Sequence, residues 1–490
     1  MYLIEQMKKA KGHNENINLV LKKHENSDLE NIDCISKAKA PCQLLSESDH
    51  EVGERMISTV KELYPRNRSI MGPDIRDSFA YFCNKHGEFK SLTFKTGDKV
   101  FDWEIPEEWI IRDAYLQHES GMKFAEFSNC NLHVMGYSVP ISKILSKKEL
   151  LKKIHINPVL PDAIPYVTSY YRRDWGFCLS KNNAETLPEG QYKAFIDSEH
   201  KPGELVVIEA LIPGESSAEI FLSSYLCHPS MANNELSGPA LLDEIMSYVK
   251  SLKKRRYSYR FVLLPETIGS IAYLSKRLSE LKTNMICGFN LSCVGDERAF
   301  THLKSRHGNN MADLALHASL IGQSNVVESS FLDRGSDERQ YCSPGVDLPL
   351  CTFCRTKFGA YPEYHTSKDD LNVVTAMGLL GSFKIMRSIA DSFELGIYPK
   401  TNVFGEPQLG KRGLYPNTSA SCYGEVNPAK TRMNILAYCD GHTSIFEICK
   451  ITNLSLEIVL DEIAILTRHN LIETHSNPIL NPLSKESIAS

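Results

Sequence analysis

The sequence predicts an α/β protein with a mainly parallel sheet and helices on both faces, and three observations carry that expectation. From about Gly190, short apolar strand-like runs alternate with helical segments at the spacing of a parallel sheet. Between about Ser91 and Thr168 the texture changes to short β-like runs interrupted by Pro106, Pro140, Pro158, Pro161 and Pro165, which predicts a small inserted β domain. Beyond a stretch with several Pro, Gly, Asn and Ser residues at 399–430, residues 431–476 read as a compact unit of three short helices.

The elements follow in order. Residues 1–48 are rich in Lys, Glu, Asn and Ser without clear periodicity, which predicts a partly disordered extension. The main domain spans 49–398 and opens with a helix over Gly53–Leu63 that stops before Pro65. Its insertion, 91–168, holds strands at Lys99–Trp103, Ile110–Gln117 and Leu132–Tyr137. The α/β series then runs strand Glu204–Leu211, strand Glu219–Leu226, helix Ser237–Leu252, strand Tyr259–Leu264, helix Ile268–Leu281, strand Met285–Cys293 and helix Met311–Leu320. After the 399–430 linker come helices at Asn434–Cys439, Ile445–Thr452 and Ser455–Asn470, with Ser455 as N-cap of the third and a loose tail at 477–490.

Bulk properties narrow the function classes. A chain of 490 residues is too long for one core, so two to four domains are expected. A formal net charge of -5 leaves no global basic field to hold nucleic acid or an anionic membrane. Met1–Asn14 lacks the apolar stretch of a secretory signal, and no apolar run approaches the roughly 20 residues of a membrane span. A cytoplasmic location is expected. The 14 cysteines are scattered, as in a reduced chain. Cys351 and Cys354 form the one CxxC pair; it lies in the apolar run Leu348–Phe353 and reads as buried thiols rather than a redox or zinc motif.

Three polar clusters carry chemistry. His228 closes an apolar strand and is followed by Asn233, Asn234, Glu235 and the helix-opening pair Ser237-Gly238. Glu266 follows another strand at a helix start, where capping is the simpler role. His365 lies in Tyr364-His365-Thr366, preceded by Gly335-Ser336-Asp337-Glu338-Arg339. Histidine and carboxylate groups at successive strand ends of one parallel sheet converge in space. They are standard zinc ligands, and a catalytic zinc keeps one position open for water.

The order of these motifs resembles the M28-type zinc aminopeptidases. More closely, the chain is similar to a bacterial group of aminopeptidase-like proteins met in polysaccharide-biosynthesis settings, the DUF4910/DUF2172 type. That likeness adds Leu63–Ser69, Trp103–Trp109 and Ile164–Tyr171 and covers about Glu51 to Glu473. It implies an aminopeptidase-like domain, an inserted β domain and a C-terminal winged helix. By the resemblance, His228, Asn234, Glu266 and His365 are the metal ligands.

Departures from the pattern shape the rest. Asn234 stands where a bridging aspartate is usual, Pro265 where the general base is usual, and Ser292 where a further aspartate is usual. One zinc ion is therefore expected rather than two. Glu235, Asp337 and Glu338 are the candidate catalytic carboxylates, with Arg334, Arg339 and Tyr364 as groups that could orient substrate. The expected reaction is cleavage of a peptide or amide bond in a small substrate by metal-activated water. The alternative is an inactive scaffold that binds a protein or glycan-pathway partner. The helix Ser455–Asn470 carries Glu457, Asp461 and Glu462 against Arg468 and His469, which favours protein contact over DNA. Self-association into a homo-oligomer is compatible with that reading.

Overall fold

The strands Glu219–Tyr225 and Ser258–Leu264 are buried along their whole length, as parallel strands covered on both faces must be. They form the centre of an eight-stranded sheet in a computed structural model that describes residues 49–415 and 428–479. The expected N-terminal extension, much of the expected linker and most of the expected tail lie outside the described residues.

Across the sheet the order is Lys90–Lys95, Glu204–Ile212, Ser258–Leu264, Glu219–Tyr225, Met285–Leu291, Leu350–Cys354, Phe300–Leu303 and Val326–Ser329. The four strands from Ser258–Leu264 to Leu350–Cys354 run parallel, and antiparallel pairings lie on both sides of them. The chain steps from Glu219–Tyr225 to one neighbour and then crosses back to the other. Right-handed crossovers then place helices Ser237–Ser251 and Ile268–Asn284 on opposite faces. Helices Asp49–Leu63 and Ala376–Leu395 pack against Ser237–Ser251. The carboxyl ends of the parallel strands at this reversal form the crevice where such sheets bind ligands.

Gly238 sits where helix Ser237–Ser251 meets the sheet. A Cβ there would collide with Ser224 Oγ and the Leu291 carbonyl, so glycine allows the helix start to press onto the strand ends.

The inserted β region differs from the expected 91–168. Its antiparallel sheet has the order Lys123–Phe124, Glu108–His118, Gln191–Lys201, Ile141–Ser146. Lys90–Lys95 belongs instead to the main sheet, paired with Glu204–Ile212. The last strand of the small sheet thus comes from beyond residue 168, inside what reads in sequence as the start of the α/β series. Leu132–Tyr137 is no strand; Asn131–His133 makes one 3-10 turn.

At the C-terminal end, helices Pro428–Leu436, Ile445–Thr452 and Leu456–Arg468 are joined by a two-stranded sheet of Tyr398–Thr401 with Ile472–His475. The first strand lies within the expected linker, so the winged-helix unit begins before residue 431. Ser455 caps the third helix by accepting from Ile458 N. The unit is docked on the main domain: Phe393 packs on Phe446, and Thr474 Oγ1 donates to the Leu395 carbonyl at 2.6 Å. Cys351 and Cys354 are buried free thiols on a central strand. No described helix is long and apolar enough to cross a membrane.

Candidate active site

Glu219–Tyr225 ends in Leu226-Cys227-His228, and Ser258–Leu264 ends in Pro265-Glu266. Because these strands are adjacent and parallel, His228 and Glu266 leave the sheet side by side; His228 Nε2 lies 4.0 Å from Glu266 Oε2. His365 comes from far along the chain, and its ring centre is 5.1 Å from that of His228.

Local backbone fixes each group. Ile268 N donates to the Glu266 carbonyl at 2.8 Å across Thr267, whose φ of 65° and ψ of -72° make a strained γ-turn. Asp337 Oδ1 holds that turn by accepting from Thr267 N and Ser270 Oγ, each at 2.8 Å. Arg339 Nη2 donates to Thr267 Oγ1 at 2.6 Å. His365 has φ of 57°, and its carbonyl accepts from Tyr166 N at 2.8 Å. Tyr364 stacks on the His365 ring at 3.9 Å, and the Tyr166 ring lies 4.6 Å from that of His228. The segment Ile164–Tyr166 therefore closes one wall of the site.

The Glu235 carboxylate meets His228 Nδ1 and accepts from Cys227 N at 2.5 Å. Glu235, expected as a catalytic carboxylate, is thus placed behind the imidazole, with Nε2 on the side of Glu266. A carboxylate in that place fixes ring orientation and raises ligand basicity. Substituting Glu235→Gln is expected to weaken zinc binding about 10- to 100-fold, measured by competition with a chromogenic chelator.

Asn234 points elsewhere. Its Oδ1 accepts from Tyr225 OH at 3.1 Å, and that hydroxyl shares a 2.6 Å bond with Ser292 Oγ. This neutral chain supplies no carboxylate for a second cation, and it takes up the oxygen that the resemblance assigned to a metal. The Asn234 backbone N–H donates to Asp369 Oδ2 at 2.9 Å, beside Asn233 N on Oδ1 at 2.7 Å and Tyr361 OH on Oδ2 at 2.9 Å. Asp369 thus locks the loop after His228.

Glu338, also expected as a catalytic carboxylate, is placed among donors of its own loop and strands. Its Oε1 accepts from Gly335 N and Ser336 N, and its Oε2 from Asn290 Nδ2 and Thr352 Oγ1. With all four bonds inside the protein, it holds its own loop and has no free oxygen for proton transfer. Arg334 donates to the Phe331 carbonyl and lies over the Phe331 ring on an exposed loop. Asp337 keeps its expected candidacy: it is fully buried and its Oδ2 has no protein partner.

Burial dominates the electrostatics. It drives the Glu266 carboxyl up to about 7, with the His228 charge pulling down and Glu235 pushing up. It takes Asp337 up to about 8, assisted by the Glu266 charge. Asp369 rises to about 6 through burial, against the Asn233 and Asn234 N–H donors. His365 falls well below the usual imidazole range, first through burial and then through His228. Burial would lower His228 too, but Glu235 and Glu266 outweigh it and the ring ends above its ordinary value.

The donor types of His228, Glu266 and His365 suit a metal, but their ligand atoms do not all lie within 4.8 Å of one another, so the three side chains would have to close in to share one ion. Two imidazoles bound to one zinc at about 2.0–2.1 Å have ring centres within about 6 Å of each other. The His228–His365 separation of 5.1 Å meets that condition, and His365 Nε2 is buried without a protein partner. Cys227, His228 and Glu235 also lie close enough to share an ion, but the Glu235 carboxylate already faces His228 Nδ1. A second cluster, His302, Asp313 and Cys351, is reduced in the same way: Asp313 caps helix Met311–Leu320 and accepts from Ser305 and Asn310.

The fold is that of the zinc aminopeptidases: BSAP, a zinc aminopeptidase from Bacillus subtilis, superimposes with a TM-score of 0.51 at 14% identity, over 70% of this chain and 94% of that one. The chain belongs to the family of the "Domain of unknown function (DUF4910)", whose model matches residues 57–395; a winged helix-turn-helix model matches 397–474. It is 40% identical, over 75% of its length and 85% of the relative, to a Clostridium acetobutylicum protein called "Putative polysaccharide biosynthesis protein with aminopeptidase-like domain". A crystal structure of a "putative peptidase" from Clostridium acetobutylicum aligns with a TM-score of 0.78 at 35% identity, covering 87% of this chain and 97% of that one.

Proposed function

We propose that the chain is a single-zinc hydrolase that cleaves a peptide or amide bond in a small substrate. The observation that carries this reading is the meeting of His228, Glu266 and His365, from three distant segments, with His365 Nε2 left free. Two imidazoles and one carboxylate are the donor set of several catalytic zinc sites. When bound, zinc would polarise the amide carbonyl and lower the pKa of a water.

The protein's own groups supply the rest. Glu235 orients His228, and Thr267 with Arg339 and Asp337 fixes Glu266. Pro265 removes the usual base, and Asp337 takes over proton transfer through its free oxygen. A buried carboxyl held protonated near neutral pH suits donation to the departing nitrogen. Substituting Asp337→Asn is expected to lower kcat about 10²- to 10⁴-fold while zinc content stays unchanged. A variant with full activity would remove Asp337 from the mechanism.

Hydrolysis of a panel of aminoacyl and N-acyl amino-acid anilides, run beside elemental analysis of protein purified without added metal, tests the proposal. Stoichiometric zinc with turnover is the expected result. The inactive scaffold is favoured by Pro265 and the neutral Asn234–Ser292 pair. Absence of zinc after incubation with the ion would select it. For the winged helix we favour a protein partner over DNA, since Glu457 and Asp461 lie on the exposed side of Leu456–Arg468.

A further inference from the structure

The run Tyr64–Ser69 takes no part in the chemistry above, yet it is tied to the loop that carries His228. Ser230 Oγ donates to the Tyr64 carbonyl at 3.2 Å, and Asn131 Nδ2 donates to Ser230 Oγ at 2.6 Å. From this run Arg68 turns inward and is 1% exposed. Its Nη1 donates to the Leu63 carbonyl, while Nε and Nη2 have no partner in the protein. Among the described residues no carboxylate forms an ion pair with it.

That is an unusual state for a buried arginine. A guanidinium taken out of water costs several kcal/mol unless an acid and hydrogen bonds compensate it. Arg260, equally buried in this molecule, shows the compensated form: it is paired with Glu219, Glu209 and Glu280. Arg68 instead lines a narrow cleft with Trp109, Asn131, Tyr137, Tyr166 and Pro229; its free volume of about 10 Å³ is room for one water, so a larger group enters only as the walls part. Pro229 adjoins His228, and Tyr166 packs on the His228 ring, so this cleft abuts the metal ligands. The Tyr137 hydroxyl is a second buried group in the cleft; it makes no hydrogen bond of good geometry, although the Met71 backbone lies close to it. Tyr137 also borders an adjoining cavity of about 210 Å³ lined by Arg172, His200 and the paired Arg173 and Glu107, which leaves Arg172 as its unneutralised cation.

We propose that Arg68, with the Tyr137 hydroxyl, receives a small anionic group, a carboxylate or a phosphate, carried by the substrate of the neighbouring centre. The planar fork of a guanidinium matches both anions, and its two free nitrogens are those that such a group would take. The substrate class becomes an amide bearing a negative charge close to the bond that is cut. This inference rests on the hydrolase reading for the word substrate, but the anion site itself does not.

The test is therefore a binding measurement on full-length protein stripped of metal by chelation and dialysed, so that no bound cation captures the anion. Succinate, N-acetylglycine and inorganic phosphate are titrated separately, with melting temperature and tryptophan fluorescence as readouts. At least one anion is expected to raise the melting temperature of the unsubstituted chain. In Arg68→Met its affinity should fall about tenfold or more, equivalent to about 1.4 kcal/mol. Arg68→Lys, which keeps the charge and loses the fork, should also bind more weakly than the unsubstituted chain. Without anion, Arg68→Met should melt no lower than the parent, because an uncompensated buried charge has been removed. Response to phosphate alone assigns a phosphorylated substrate, and response to the carboxylates alone assigns an acidic amide. If no anion binds the unsubstituted chain, or Arg68→Met binds equally well, the proposal is overturned, whatever the hydrolysis assays show.

Discussion

Replacing His365 with alanine is expected to abolish stoichiometric zinc and to lower amide hydrolysis about 10³-fold or more, the equivalent of several kcal/mol of Lewis-acid stabilisation. The argument rests on how little else the imidazole does. Its Nε2 has no partner in the protein, and its ring stacks on Tyr364, meets Tyr166 in a T-shaped contact and lies beside the tilted ring of His228. The loop is held instead by backbone: the His365 carbonyl accepts from Tyr166 N, and Ser367 N donates to the Ile164 carbonyl at 2.8 Å. The variant should therefore keep its fold by circular dichroism while losing metal. A variant that keeps both zinc and activity would remove His365 from the centre.

The second large effect lies in the scaffold. Arg260→Ala is expected to destabilise the protein by about 3–5 kcal/mol, the usual consequence of breaking a buried ion pair from one side. Arg260 Nε lies 2.6 Å from Glu219 Oε2, and Nη1 lies 3.0 Å from Glu209 Oε2. Glu280 from helix Ile268–Asn284 pairs with the same guanidinium, and Arg277 pairs with Glu209. The network ties three neighbouring strands and that helix together beneath the strand ends that bear His228 and Glu266. Without Arg260, Glu219 at 2% exposure would be left charged and buried with Asn284 Nδ2 as a weak partner. The urea-unfolding midpoint measures the loss, and a change below about 1 kcal/mol would show that the strands are held by packing alone.

The parallel sheet and the placing of His228 and Glu266 at its crevice were legible in the sequence for a shared reason. Period and length mark buried strands, and a polar residue directly after such a strand lies at the crevice. His228 and Glu266 follow that rule; His365 was reached through resemblance. What failed to show depends on partner choice. Glu235, next to Asn234, reads in sequence as a candidate catalytic carboxylate; only the fold reveals that its carboxylate faces the back of His228. Glu338 bears the same carboxyl group as Asp337 one residue away, yet four donors saturate it. Arg68 reads as one of two arginines in Arg66-Asn67-Arg68, and nothing local signals its burial. Strand Tyr398–Thr401 was hidden by Pro399, which a two-stranded edge accommodates although it reads as linker. Gln191–Lys201 has the alternating burial of a half-covered strand, but sequence period alone does not say which sheet it joins.

Diffraction at the zinc absorption edge, from crystals of protein exposed to the ion, tests the central claim most directly. One anomalous peak within bonding distance of His228 Nε2, a Glu266 carboxylate oxygen and a His365 ring nitrogen is the predicted result. No peak there, or an ion held without His365, would contradict the account.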